Sequence, residues 1–403
     1  MKKVCVVGLG YIGLPTAALL ANRGYEVHGV DIVQSTVDTI NQGKIHIVEP
    51  ELDIFVKSAV NSGKLKADTK PAKADVFIIA VPTPFHKSGY DIPTPNIDYV
   101  ISATKSIAPY VKEGNLIILE STSPVGTTEK IKEVLEKEGV ETSKIYIAHC
   151  PERVLPGKIM RELVENDRIV GGINEESTRK AAEFYKTFVE GEVLETNAKT
   201  AELCKLTENS YRDVNIAFAN ELSIICDNYG IDVWELRNLA NRHPRVNILY
   251  PGVGVGGHCI AVDPWFIVSD NKDKARLIKI AREVNNYKTE WVVEKIKNEV
   301  LKFEIKNKRK PTIALMGLAF KPDIDDLRES PALYIAQKLN KELDNVMCVE
   351  SNISLNKELG LKLVSIEDGI KSDIVAFLVG HKEFRNLKIN YNKKVLDFCG
   401  IVE

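Results

Sequence analysis

Neither sign of charge is in excess in this chain. Its 403 residues carry 54 Lys and Arg against 56 Asp and Glu, a formal net charge of -2. Such a balance provides no basic field for nucleic acid and no acidic tail. The seven cysteines include no CxxC pair and are odd in number. Neither a zinc site nor a disulfide framework is signalled, and a reducing compartment, the cytoplasm, fits best. A long uninterrupted apolar run is missing too. Val4–Asn22 is uncharged and follows two lysines, as in a signal peptide or membrane anchor, but Gly8, Gly10, Gly13 and Pro15 break it at nucleotide-loop spacing. What remains, 44% hydrophobic and 27% charged, is a soluble globular composition, long enough for two or three domains at about 100–200 residues each.

The first 31 residues are the most informative. Lys3–Val7 is a short β-branched run, GLGYIG follows at 8–13, Leu14–Arg23 has helical spacing, and Tyr25–Val30 ends in Asp31. A lone GxGxxG is weak evidence. Between a strand and a helix, and answered by an acid 18 positions after Gly13, it reads as a dinucleotide-binding turn. Gly8 permits the turn, Gly10 lets a pyrophosphate approach the backbone, and Gly13 allows close helix–strand packing, with the helix N-terminus facing the anion. Asp31 suits two ribose hydroxyls and repels a 2′-phosphate. No arginine follows it closely, so NAD is expected rather than NADP. A glycine turn that holds no nucleotide is the alternative.

Further parallel-sheet units follow in ADVFIIAVPTP (74–84), NLIILESTSPVG (115–126) and KIYIAHCPERVLPG (144–157). Each places a polar residue just past the carboxyl end of a strand, namely Thr83, Thr122 and Glu152, at the edge where doubly wound sheets bind ligands. From about Ala198 to Gly230 one long helix is expected, with Lys205, Asn209 and Arg212 on a shared face. A solvated face would show the same spacing. At about 1.5 Å per residue such a helix is long enough to be a spine between domains or subunits. A second helix is expected at Lys274–Leu301, then a charged linker at Lys302–Lys310, and strands resume at Pro311–Met316, Val346–Val349 and Asp373–Val379. The fold class is therefore α/β: two Rossmann-like doubly wound domains joined by a long central helix. The expected parts are 1–197 for NAD, 198–301 for the helices and the loop that follows them, and 302–403 for a second domain that lacks GxGxxG. The loop 254–265, GVGGHCIAVDPW, places Cys259 among glycines and Asp263 four residues on. Glycines allow close backbone approach to a ligand, and a cysteine there suggests a nucleophile rather than filler. An alcohol dehydrogenase needs no thiol. An aldehyde oxidiser does, because thiolate addition gives a thiohemiacetal, hydride loss gives a thioester, and water then yields an acid. A buried inert thiol is the competing reading for Cys259 and the expected one for the other six cysteines.

GLGYIGLP, VPTPF, ESTSPVGTTEK, CPERVLPG, AELCKLTENSYRDVNIAFANE, NRHPRVNI, GVGGHCIAVDPWF and GLAFKPDIDDLRESPA together resemble the nucleotide-sugar 6-dehydrogenases of the UDP-glucose/GDP-mannose dehydrogenase family, along the whole chain. The resemblance implies that Cys259 is the catalytic thiol. Lys205 would assist proton transfer and stabilise an oxyanion, and Asn209 would be the second oxyanion donor. Asp263 would position or deprotonate through water, and Glu152 and Thr122 would handle the hydrolytic water. It further implies NAD contacts from Tyr11, Ile12, Asp31, Thr83 and Thr122. Nucleotide-sugar contacts would come from Arg161, Lys205, Asn209, Arg212, His243, Arg245, Gly257 and Lys321. Arg328 would reach the NAD site of a neighbouring subunit, in a homodimer or larger assembly built on the long helix. A UDP-sugar is the implied substrate; no metal, nucleic acid or membrane partner is expected.

The loop departs from the glucose branch of the family, which usually reads GGSCFPKD where this chain has GGHCIAVD. The lysine before the aspartate is absent, which argues against glucose, and the wording is most similar to the mannosamine branch. Val253, where that branch commonly has proline, is a neutral loop change, and His258 is expected to contact ligand or make a structural hydrogen bond. Two other readings predict different behaviour. A binding protein that senses NAD without catalysis would show no turnover. A two-electron hydroxyacid dehydrogenase would form one NADH per substrate and ignore loss of the thiol.

Overall fold

The computed structural model describes residues 2–86, 92–257, 259–354, 359–390 and 392–402. The chain divides into two compact units, Met1–Thr207 with Trp265–Asp270, and Glu208–Pro264 with Asn271–Glu403.

The first unit is built on eight strands: β1 Lys3–Val7, β2 Glu26–Val30, β3 Leu65–Asp68, β4 Val76–Ile79, β5 Leu116–Leu119, β6 Tyr146–His149, β7 Arg168–Gly172 and β8 Val193–Asn197. Their order in the sheet is β3-β2-β1-β4-β5-β6-β7-β8. All neighbours are parallel except β6 and β7, which pair antiparallel through Ala148 with Gly172 and His149 with Gly171. The central strands are buried on both faces, as VFII of β4 and LIIL of β5 require. Val4 and Val6 pack to one side with Leu14, Ala17 and Leu20. Cys5 and Val7 pack to the other with Ile107 and Ile131. Helices thus cover both faces, as doubly wound folds require.

The second unit carries β9 Ile313–Met316, β10 Val346–Val349, β11 Ile374–Phe377 and β12 Lys394–Asp397, all parallel in the order β10-β9-β11-β12. Its two cores lie on opposite faces of this small sheet. Ile313 and Leu315 pack with Ile335 and Leu339, while Ala314 and Met316 pack with Phe377 and Phe384.

The long helix runs from Ala198 to Tyr229, as expected. The second long helix does not stop at Leu301. It continues from Arg276 to Asn307, so most of the expected charged linker is helical. Exposed Lys302 reaches buried Glu299 three residues back at 2.8 Å, a pairing that helical spacing favours. Among the described residues no helix is long and apolar enough to cross a membrane.

Candidate active site

In the first unit the turn after β1 has the geometry its sequence demands. Gly8 adopts φ +93°, and a Cβ there would meet the Ala80 carbonyl oxygen at 2.5 Å. A Cβ on Gly13 would lie 1.8 Å from the Gly8 oxygen, while Gly10 has nothing within 4 Å. The gap above Gly10 is where a pyrophosphate could approach. The helix Gly13–Asn22 begins without a side-chain cap or an acid in its first turn, so its leading N–H groups suit an anion. The Asp31 carboxylate accepts from the Leu9 amide at 3.1 Å and the Val33 amide at 3.0 Å. It keeps lone pairs for sugar hydroxyls. Exposed Tyr11 and Ile32 flank this turn in sequence. The residues fit a dinucleotide with an unphosphorylated ribose.

Further along the same sheet edge, the Thr83 hydroxyl donates to the Thr122 carbonyl at 2.7 Å, tying the loops after β4 and β5. Glu152, just past β6, is buried, and one of its oxygens accepts from Arg168 Nη1 at 2.5 Å. The long helix contributes Glu202, which is wholly buried. It accepts from the Gly126 amide at 2.6 Å, the Thr128 amide at 2.8 Å and the Thr128 hydroxyl at 2.6 Å. That carboxylate caps the helix Thr127–Lys137 and fixes the SPVG loop that presents Thr122. Glu202, Arg168 and Glu120 went unread in the sequence. Glu202 had one available signal, its place three residues before Lys205 on the same helical face. Lys205 is half-buried. Its charge acts on His149, whose imidazole is pushed down to about 3, mainly by burial. His149 is therefore neutral at physiological pH.

In the second unit Cys259 is exposed, and its carbonyl accepts from the Asp263 amide at 2.9 Å. Asp263 is buried and opens the helix Asp263–Asp270. Its carboxylate accepts from the Asn209 amide group at 2.5 Å, so the thiol turn and the long helix are joined one residue type at a time. All seven cysteines are thiols, and Cys259 alone is exposed. Burial pushes Cys5 up to about 11 and Cys150 and Cys348 up to about 12, which makes them poor nucleophiles at neutral pH.

Close packing holds the glycine loop before Cys259. A Cβ on Gly254 would meet Thr289 Oγ1 at 2.4 Å, and one on Gly256 would meet the Glu329 oxygen at 2.5 Å. Gly257, at φ +81°, lies against the Phe320 ring. Thr289 also donates to the Val253 carbonyl at 2.9 Å, and Asn220 accepts the Gly252 amide at 2.8 Å. Asn220 is set in turn by Asn285, and Asn285 by Asp213, which bonds Arg282 at 2.6 Å. This buried polar chain gives the loop one geometry. His258 lies outside the described residues.

The expected sugar-nucleotide residues are spread over both units. Arg161 is exposed and bonds Glu165 one helical turn on at 2.7 Å. Arg212, His243, Arg245 and Lys321 are exposed in the second unit. Arg328 is exposed and grips Asp326 of its own loop at 2.6 Å.

The dinucleotide-type turn of the first unit and the thiol loop and second parallel sheet of the other are the parts expected of a pyridine-nucleotide oxidoreductase. Models of three successive domains match the chain: the NAD binding domain of the UDP-glucose/GDP-mannose dehydrogenase family at residues 2–189, the central domain at 199–287 and the UDP binding domain at 314–403. The chain belongs to that family and is an NAD-dependent nucleotide-sugar dehydrogenase. It is 57% identical to UDP-N-acetyl-D-mannosamine dehydrogenase of Campylobacter jejuni, with 99% of each chain covered. It is 53% identical to an NDP-N-acetyl-D-galactosaminuronic acid dehydrogenase of Ralstonia nicotianae, over 99% of this chain and 96% of the other. The solved UDP-D-ManNAc dehydrogenase of Pyrococcus horikoshii superposes with a TM-score of 0.90 at 39% identity, covering 100% of this chain and 96% of that one.

Proposed function

We propose that the chain oxidises C6 of UDP-N-acetyl-D-mannosamine from alcohol to carboxylate, giving UDP-N-acetyl-D-mannosaminuronate for surface polysaccharide. The observation that carries this reading is the exposed Cys259 thiol after a closely packed run of glycines, beside the Asn209–Asp263 pair. The first oxidation removes a proton and a hydride from C6 to give the aldehyde. The Cys259 sulfur then adds to the carbonyl carbon, and loss of a second hydride leaves a thioester. Water finally breaks the C–S bond and releases the acid. Hydride acceptance is the chemistry that NAD supplies when bound.

The other roles are assigned to residues as follows. Lys205 and Asn209 donate to the oxyanion, and Asp263 orients Asn209 and the thiol turn. Thr122 and Glu152 hold the hydrolytic water. Gly8, Gly10, Tyr11, Ile12, Gly13, Asp31, Thr83 and Thr122 contact NAD. Arg161, Arg212, His243, Arg245, Gly257 and Lys321 hold the nucleotide-sugar, where charge-assisted bonds to a diphosphate are strongest. Arg328 completes the NAD site of a neighbouring subunit. The parts 1–197, 198–301 and 302–403 then divide the work into NAD binding, thiol presentation and UDP-sugar binding. Homodimerisation through the long helix is supported by exposed Tyr211, Phe218, Ile225 and Tyr229, whose spacing keeps them on one face. A cytoplasmic location goes with seven cysteines kept as thiols.

The relative named for a galactosaminuronic acid supports a second reading, an N-acetylated galacto sugar. UDP-N-acetylglucosamine and UDP-glucose are further alternatives. The test is NADH formed per molecule of each UDP-sugar, with wild type and Cys259→Ala. Two NADH with the manno sugar alone, lost in the variant, is the expected result. Two NADH with another sugar would keep the thiol mechanism and reassign the substrate.

A further inference from the structure

Behind Glu152 lies a buried polar cluster that the proposed reaction does not use. Glu120 directly follows β5, the strand next to β6, and it is 2% exposed. One of its oxygens accepts from the Tyr185 hydroxyl at 2.8 Å and the other from Thr16 at 3.4 Å. The Arg168 guanidinium lies 5.7 Å from the Tyr185 ring centroid and donates to Glu152 at 2.5 Å and to the Leu163 carbonyl at 3.0 Å. Arg168 is 1% exposed, so water cannot screen the charges around it. The groups facing Glu120 are thus Thr16 and Tyr185 from two helices, Cys150 and Glu152 past β6, and Arg168 from β7. The one guanidinium hydrogen-bonds Glu152, while its charge also acts on Glu120.

We infer that Glu120 is a positioning residue for Glu152, its state of ionisation deciding how firmly Arg168 holds the Glu152 carboxylate. The inference rests on the role proposed above for Glu152 in thioester hydrolysis. When Glu120 is protonated, Arg168 is left wholly to Glu152 and ties it down. When Glu120 ionises, the guanidinium charge is shared, and Glu152 is freed to take a proton from the attacking water. In that step the water oxygen bonds the acyl carbon, the C–S bond breaks, the proton goes to Glu152, and Cys259 leaves as thiolate. Burial first, then the neighbouring Glu152 charge, push Glu120 up to about 7 against the pull of Arg168, which places the change near neutrality.

Rapid-mixing measurements of NADH from pH 6 to 8, on wild type, Glu120→Gln and Glu120→Asp, with UDP-N-acetyl-D-mannosamine as substrate, test this. Wild type should show a fast burst of two NADH per thiol, then a steady rate that rises about tenfold across the range, as one controlling carboxyl group requires. Glu120→Gln, which can still accept from Tyr185 through its amide oxygen while its amide nitrogen donates to the Thr16 hydroxyl, should keep the burst and the KM but hold the steady rate near its low-pH value. Glu120→Asp should restore the rise. A Gln profile that superimposes on wild type, with the burst intact, overturns this inference and leaves the proposed function standing. A wild-type enzyme without a burst, whose steady rate is not set by hydrolysis, also overturns this inference; one NADH per UDP-sugar, unchanged in Cys259→Ala, overturns the parent reading instead, and this one with it.

Discussion

The two parallel sheets start in the same way and end differently. In the first unit, the Gly8 amide donates to the Val30 carbonyl at 2.8 Å, and Asp31, past β2, accepts from the Leu9 amide. In the second, the Gly317 amide donates to the Val349 carbonyl at 2.8 Å, and Glu350, past β10, accepts from the Leu318 and Ala319 amides at 2.7 and 2.9 Å. Strand, Gly-Leu, strand, acid is common to both. Asp31 stays half-buried at the edge of its turn. Glu350 is 4% exposed and turned inward onto His381 Nε2 at 3.0 Å. In the first unit a helix begins at Gly13, five residues after Gly8, and aims its N-terminus at the turn. In the second, the segment 320–330 intervenes before the helix Pro331–Glu342. The same local device leaves its acid open for a ligand in one sheet and seals it into a core in the other. A second Rossmann-like sheet therefore need not bind a second dinucleotide.

Substitutions at matching positions should separate these roles. Gly13→Ala is expected to have the largest effect, because its methyl would sit 1.8 Å from a backbone oxygen. Loss of folded protein, or of all NAD binding in calorimetry, is the expected outcome. Glu350→Gln comes next. Burial acts upward on Glu350, but bonds from His381, Leu318 and Asn352 prevail and hold the carboxyl down at about 2 rather than 4.5. A lowered value means stabilisation that is present above about 4.5 and lost as pH falls through about 2. The variant should lose roughly 3 kcal/mol in urea unfolding at pH 7, at about 1.4 kcal/mol per pH unit, with KM for NAD unchanged. Asp31→Asn should do the opposite, raising KM for NAD on the order of tenfold with little change in Tm, since it weakens charge-assisted bonds to ribose. Gly10→Ala is the mildest for the fold, having no atom to meet within 4 Å, so a KM effect without a Tm effect would mark the pyrophosphate path. If Asp31→Asn unfolds the protein and Glu350→Gln raises KM for NAD, the contrast between the sheets is wrong.

The sequence was most legible where function and local backbone coincide. Gly8, Gly13 and Asp31 lie within one strand–turn–helix–strand unit, and the glycines before Cys259 mark contacts that no side chain could share. Residues whose partners lie far along the chain left no local trace. Glu120 meets Thr16 across 104 positions, and Glu202 caps a helix 74 positions away. The run Lys302–Asn307 looked like a linker because charge alone does not distinguish a solvated helix from a loop. The face shared by Lys205, Asn209 and Arg212 was read correctly as a face, but not as one that passes from half-buried through buried to exposed. Such gradation depends on what packs against the helix.

The central claim is that Cys259 carries the acyl group. It is tested most directly by acid-quenching the enzyme during turnover with NAD and UDP-N-acetyl-D-mannosamine, then weighing its peptides. The account predicts a UDP-N-acetylmannosaminuronyl thioester on the peptide that contains Cys259, increased when Glu152 is changed to Gln and absent in Cys259→Ala. Rapid formation of the acid with no adduct on that peptide in either enzyme, and full activity in Cys259→Ala, would contradict it.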